Sequence, residues 1–306
     1  MPLLLDRMPI RRSFQLFLGA CTLLGLGALM GLASPARSAD VNDPTRGDLV
    51  LFPGPLQEQT LPRTPGMPAG NASRPVVMGL NIPGRNFRAG EGWWGLVCGA
   101  QPSGCQLVPL RLAVTPATHP VYDSEPTPSQ ILSWSPLPAS LSAPDSKAKL
   151  LAVFKPIRAL AKLPLAIGPV KTWLHAAMDS YPPGGRIGSM EVSIPVAPGA
   201  PALLLPRLQP GKEGRSDGLL LELRQGGRRQ VLDSFDPVME GPVPVRPTDY
   251  LLWAGDLDGD GKPDLLVDLS GGTRKVKLYL SSLATGQELV GEAGSFEFVD
   301  PSSAGC

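Results

Sequence analysis

The 306 residues carry 28 basic and 27 acidic side chains, a formal charge of +1, with 42% hydrophobic and 18% charged positions. That balance leaves no electrostatic footprint for nucleic acid, which is excluded as a partner. With 35 Gly and 36 Pro, the composition excludes a helical bundle and favours short strands joined by turns, and two His leave little material for imidazole chemistry.

Residues 1–39 read as an export signal. Arg7, Arg11 and Arg12 form a basic start, Phe14 to Ala33 is almost wholly apolar, and Ser34, Pro35, Ala36, Ser38 and Ala39 offer small residues for cleavage. An ordinary secretory signal is one reading. The other is a twin-arginine signal, whose motif Arg11-Arg12-Ser13-Phe14-Gln15-Leu16 resembles. Leu18-Gly19-Ala20-Cys21 also resembles a lipobox, which would leave Cys21 acylated, although the apolar run continues well past that point. The expected location is periplasmic or secreted, with membrane contact only through this leader or a lipidated Cys21.

Residues 40–145 read as an N-terminal β-rich region. Asp40 to Ala72 is rich in Pro and Gly around a strand-like patch, Leu49 to Phe52. Trp93 to Cys98 and Gln106 to Val114 are β-compatible runs flanking a turn with Pro102, Ser103 and Gly104, so a hairpin is expected. Pro109 places the second run at a sheet edge, since proline cannot donate to a ladder. In an oxidising compartment Cys98 and Cys105 are natural disulfide partners across that turn; a link from Cys306 to either remains open. Pro136 to Pro144 marks a boundary.

Residues 146–306 read as a C-terminal β-rich region. Ser146 to Leu163 fits two elements: a helix with Leu150, Phe154, Ile157 and Leu160 on one face, or a buried strand at Lys149 to Lys155. Ile187 to Pro195, with Met190, Val192 and Ile194 alternating, reads as a strand. Leu219, Leu221 and Leu223 alternate with more polar neighbours, and Gly226-Gly227 turns the chain into Arg228 to Phe235, which is a hairpin pattern. Leu265 to Leu269 and Val276 to Leu280 form another about Gly271-Gly272. The fold class is mainly β: antiparallel hairpins in a sandwich-like or irregular β-rich arrangement, with at most one or two short helices.

One segment carries chemistry. Between Tyr250–Ala254 and Leu265–Val267 runs Gly255-Asp256-Leu257-Asp258-Gly259-Asp260-Gly261-Lys262-Pro263-Asp264. Carboxylates at positions 1, 3, 5 and 9 of a tight loop suit a hard, oxygen-seeking cation. Asp256, Asp258 and Asp260 can converge on one point, the Lys262 carbonyl can supply a further oxygen, and Asp264 completes the set directly or through water. The expected cofactor is Ca²⁺. Val267 stands where an EF-hand needs its bidentate Glu, and the flanks are strand-like. The loop instead resembles those of the FG-GAP and VCBS repeat families, in which Asp-x-Asp-x-Asp-Gly-x-x-Asp joins two strands. The resemblance covers residues 250–280 in a single copy and implies a calcium-stapled hairpin, not a propeller.

No His-Glu-x-x-His, Gly-x-Ser-x-Gly or phosphate-cradling loop occurs. The leading expectation is an exported calcium-binding β-rich protein with a binding or structural role, its protein or glycan partner unspecified by the sequence. The alternative is a secreted hydrolase with a structural calcium site. No residue is marked as catalytic.

Overall fold

A computed structural model describes residues 48–53, 77–83, 86–99, 104–119, 127–136, 148–178, 180–184, 190–197, 200–210, 216–235, 246–271 and 274–298. The export signal, Cys21 and Cys306 lie outside them. Among the described residues no helix is long and apolar enough to cross a membrane.

The described chain is mostly β, in three antiparallel sheets. The first contains β1 (Leu49–Pro53), β2 (Val77–Pro83), β3 (Gly92–Cys98), β4 (Cys105–His119), β5 (Thr127–Ser135), β6 (Lys149–Pro156) and the short β7 (Gly168–Pro169). Its order is β1-β6-β3-β4-β5-β2, with β7 on β4. The second contains β8 (Lys171–His175), β13 (Leu251–Asp256), β14 (Asp264–Asp268), β15 (Arg274–Leu280) and β16 (Gly291–Phe298), in the order β16-β15-β14-β13-β8. The third is β12-β11-β10-β9, from β9 (Val192–Ile194), β10 (Ala202–Pro210), β11 (Ser216–Gln225) and β12 (Arg228–Ser234). One helical turn, α1 (Pro247–Tyr250), and two 3₁₀ turns, Arg158–Lys162 and Ser281–Leu283, complete the described elements.

The five-stranded sheet is covered on both faces. Toward the seven-stranded sheet it sends Trp253, Leu266, Val276, Leu278 and Leu280, which meet Leu51, Leu96, Leu107 and Phe154. Toward the four-stranded sheet it sends Leu251, Leu265, Val267 and Tyr279, which meet Val192, Leu204, Leu221 and Leu223. This explains why β13 and β14 read as continuous apolar runs, without the alternation of a half-solvated strand. A third cluster, built around Trp93, Leu112, Leu132 and Trp134, fills the other face of the seven-stranded sheet. The first and last strands also meet: β1 packs against β16, with Leu49 and Ala293 in one cluster and Val50 and Phe296 in another.

The expected hairpins form. β3 pairs with β4 and brings Cys98 opposite Cys105, β11 pairs with β12 across Gly226-Gly227, and β14 pairs with β15. One expectation changes and one open alternative is decided. Pro109 does not lie at a sheet edge, because β4 is flanked by β3 on one side and by β5 and β7 on the other. Pro109 faces Trp94 of β3, while β7 pairs with Gln106–Leu107 and β5 pairing starts at Arg111. The proline sits in the gap between those two partners, where no ladder needs its N–H. The segment after residue 146 is a strand, β6, between β1 and β3, followed at Arg158 by a 3₁₀ turn. The Pro-rich break at 136–144 thus falls between two strands of one sheet.

Candidate metal centre

The loop joining β13 to β14 occupies one end of the central sheet. Both flanking strands enter the core, with Trp253, Ala254, Leu265 and Val267 fully buried, so the loop's endpoints are fixed. Gly259 and Gly261 turn the chain with φ of 81° and 83°, a region that costs other residues strain. The resulting curl brings a carboxylate oxygen from each of Asp256, Asp258 and Asp260 within 4.8 Å of the others. These three could hold a metal ion.

Backbone N–H groups shape the cluster from within. Gly261 N–H donates to Asp256 Oδ2 at 2.9 Å, Asp260 N–H to Asp258 Oδ1 at 3.3 Å, and Lys262 N–H to Asp260 Oδ1 at 2.8 Å. Lys262 Nζ stands 3.7 Å from Asp260 Oδ2 and Lys171 Nζ 3.8 Å from Asp256 Oδ2, both lysines largely in water. Asp256 Oδ1 differs from the other oxygens. It is buried without a hydrogen-bond donor, on a side chain only 7% exposed. A buried carboxylate oxygen left without a donor is costly unless a cation or water serves it.

Asp264 stands apart from this trio. It is fully buried and accepts Leu257 N–H at 2.7 Å on Oδ2 and Ser281 N–H at 2.8 Å on Oδ1. Burial pushes its carboxyl up to about 7; the Ser281 N–H pulls it down, the Asp258 charge adds to the rise, and the Leu257 N–H opposes it. In this geometry Asp264 is a strut between the loop and the 3₁₀ turn after β15.

That turn contributes residues the loop motif does not contain. Ser281 Oγ lies 2.9 Å from both carboxylate oxygens of Asp260, and Ser282 Oγ donates to Asp258 Oδ2. Neither serine carries a signal in the sequence, because each lies more than a strand's length from the motif and only the pairing of β14 with β15 brings them together.

A second cluster, Cys98, Cys105 and His175, is also buried and close-set. Its two sulfurs are bonded to each other, which withdraws them as thiolate ligands. The disulfide closes the β3–β4 hairpin, where Gly99 N–H donates to the Gly104 carbonyl at 3.0 Å. His119 lies at the opposite end of β4 from Cys105 and belongs to neither cluster.

No family model, no curated protein and no solved structure matches this chain.

Proposed function

We propose that this is an exported calcium-binding β protein whose β13–β14 loop, of the FG-GAP/VCBS type, holds one Ca²⁺ as a staple, and that its role outside the cytoplasm is binding or structural. The observation that carries the reading is Asp256 Oδ1, buried and without a donor beside the carboxylates of Asp258 and Asp260. The donor set is all oxygen, which suits a hard cation and excludes the soft-metal preference for sulfur. The flanking strands run directly into two core layers, so an ion here ties a sheet connection in place. Calcium bound there would neutralise repulsion among three carboxylates that the two nearby lysines, largely hydrated, screen weakly.

The test is thermal unfolding of the full chain in excess chelator and in excess calcium. Binding to the folded state alone stabilises by about 2.7 kcal/mol at a hundredfold excess over Kd. For a chain of this size that is a rise in Tm of about 5–10 °C. Asp258→Ala should remove the rise. Equal Tm values with chelator and with calcium would overturn the proposal.

A further inference from the structure

We propose that Ser281 and Ser282 form the second half of this metal centre: Ser282 Oγ enters the coordination sphere beside the three carboxylates, and Ser281 holds Asp260 in place, so that one cation joins two separate connections of the central sheet. The inference rests on the reading that the loop binds calcium, and it adds residues that lie outside the loop.

The geometry begins with sheet register. Leu265 of β14 faces Tyr279 of β15, so the chain entering β14 and the chain leaving β15 emerge at the same end. There the 3₁₀ turn Ser281–Leu283 lies against the acidic loop. Ser281, 5% exposed, touches Asp260 through its hydroxyl and Asp264 through both its hydroxyl, at 3.1 Å from Oδ1, and its N–H. Ser282 touches Asp258 from the more exposed side. Asp258 and Asp260 are thus each met by an N–H from their own loop and a hydroxyl from the turn.

The chemistry follows from what each donor can become. A backbone N–H can only donate, so it can never face a cation. A serine hydroxyl carries two lone pairs and a proton free to rotate. Ser282 Oγ already contacts a carboxylate oxygen of the cluster. A cation at the ordinary calcium–oxygen separation of about 2.3–2.6 Å from that oxygen comes within reach of the hydroxyl once its proton turns away. Three carboxylates and the Lys262 carbonyl fall short of the six to eight oxygens calcium takes, so further oxygen ligands are needed. Asp256, whose Oδ1 is buried and donorless, supplies a carboxylate oxygen within 4.8 Å of those of Asp258 and Asp260. A cation placed among the three carboxylates would adjoin Asp258 and Asp260, the two that the serine turn touches.

Terbium luminescence on the full chain separates this arrangement from a merely structural role. Tb³⁺ takes calcium's place among oxygen donors, and its decay in H₂O against D₂O counts the waters it carries. Ser282→Ala should let one more water onto the ion and weaken calcium binding, measured by titration calorimetry, by about tenfold or more. Ser282→Thr, which keeps the hydroxyl, should retain the wild-type water count. Ser281→Ala should weaken binding without changing that count. If wild type binds calcium and Ser282→Ala keeps both its affinity and its water count, the serine proposal is overturned while the loop reading stands. A Ser282→Thr variant as weak as the alanine variant would overturn the serine proposal in the same way. If wild type takes up neither ion, both are overturned.

Discussion

Asp233 provides a quantitative test of how the four-stranded sheet is held to the central one. Its carboxylate, on the edge strand β12, receives Lys275 Nζ at 2.9 Å and Lys277 Nζ at 2.6 Å, both from β15. The side chains of all three residues are 13–20% exposed, so solvent screens the contacts only in part. Burial alone would raise the Asp233 carboxyl, but the hydrogen bonds from Lys277, Lys275 and the Ser234 N–H outweigh it and hold the group below the usual carboxylate range. Asp233→Asn removes the charge and keeps the shape. Lys277 retains Glu292 at 2.8 Å and Lys275 retains the Ser234 carbonyl at 3.0 Å, so neither ammonium is stranded. Two charge-assisted hydrogen bonds, weakened but not lost, set the cost at about 2 kcal/mol. That corresponds to a fall in Tm of about 4–8 °C at neutral pH. The pH dependence has a definite sign. A carboxyl whose folded pKa is depressed contributes its full stability above the unfolded value of about 3.9 and loses it as pH falls through the folded value. Urea denaturation of both proteins at pH 7 and near pH 3 should therefore show a gap in midpoint that narrows in acid. An equal gap at both pH values would refute the ion-pair account, and no gap at pH 7 would refute the tie itself.

Gly255→Ala should destabilise the protein by about 3 kcal/mol or more, since a Cβ there would lie 2.1 Å from the Trp253 ring and 2.4 Å from the Lys171 carbonyl, both fixed in packed strands; thermal unfolding in chelator measures it without the metal. Replacing Cys98 and Cys105 together by Ser should cost about 2–3 kcal/mol in urea unfolding, the constraint expected of a short closed loop. Non-reducing peptide mapping should recover these two cysteines linked, and free thiols at both positions would be the contrary result. Trp253→Ala should cost about 3–5 kcal/mol in the same urea experiment. The indole is fully buried and its N–H reaches Thr172 Oγ at 3.1 Å, so both core packing and the β8 contact are lost.

The hairpins were legible because local chemistry specifies them. Leu219, Leu221 and Leu223 alternate with more polar residues, and two glycines with φ of 56° and 81° make the turn into β12. The acidic loop was legible for the same reason: Asp256, Asp258 and Asp260 alternate along a few residues, with Gly259 and Gly261 to turn the chain. What the sequence concealed is non-local. Lys149–Pro156 carries apolar residues at both helical and strand spacing, and only the place between β1 and β3 decides for a strand. Pro109 points to an edge by local rule, yet the offset of β5 from β7 accommodates it in an interior strand. Asp264 fits a ligand pattern by spacing, but its hydrogen bonds from the N–H groups of Leu257 and Ser281, which tie the loop to the turn after β15, depend on tertiary structure. Ser281 and Ser282 look like ordinary turn residues until β15 is laid beside β14.

The contact between β1 and β16 has a consequence for biogenesis. A ribosome makes β1, β3 and β6 long before β16, yet one face of those strands finds much of its apolar cover on the central sheet. Until β13 to β16 have emerged, Leu51, Leu96 and Phe154 face no partner sheet, and the growing chain carries adhesive strand surface. The pairing of Leu49 with Pro156 adds a closure across a long stretch of chain, of the kind that slows folding. That face of β1, β3 and β6 can pack only after β13 to β16 are made, and a truncation that removes β16 is expected to leave a chain dependent on chaperones.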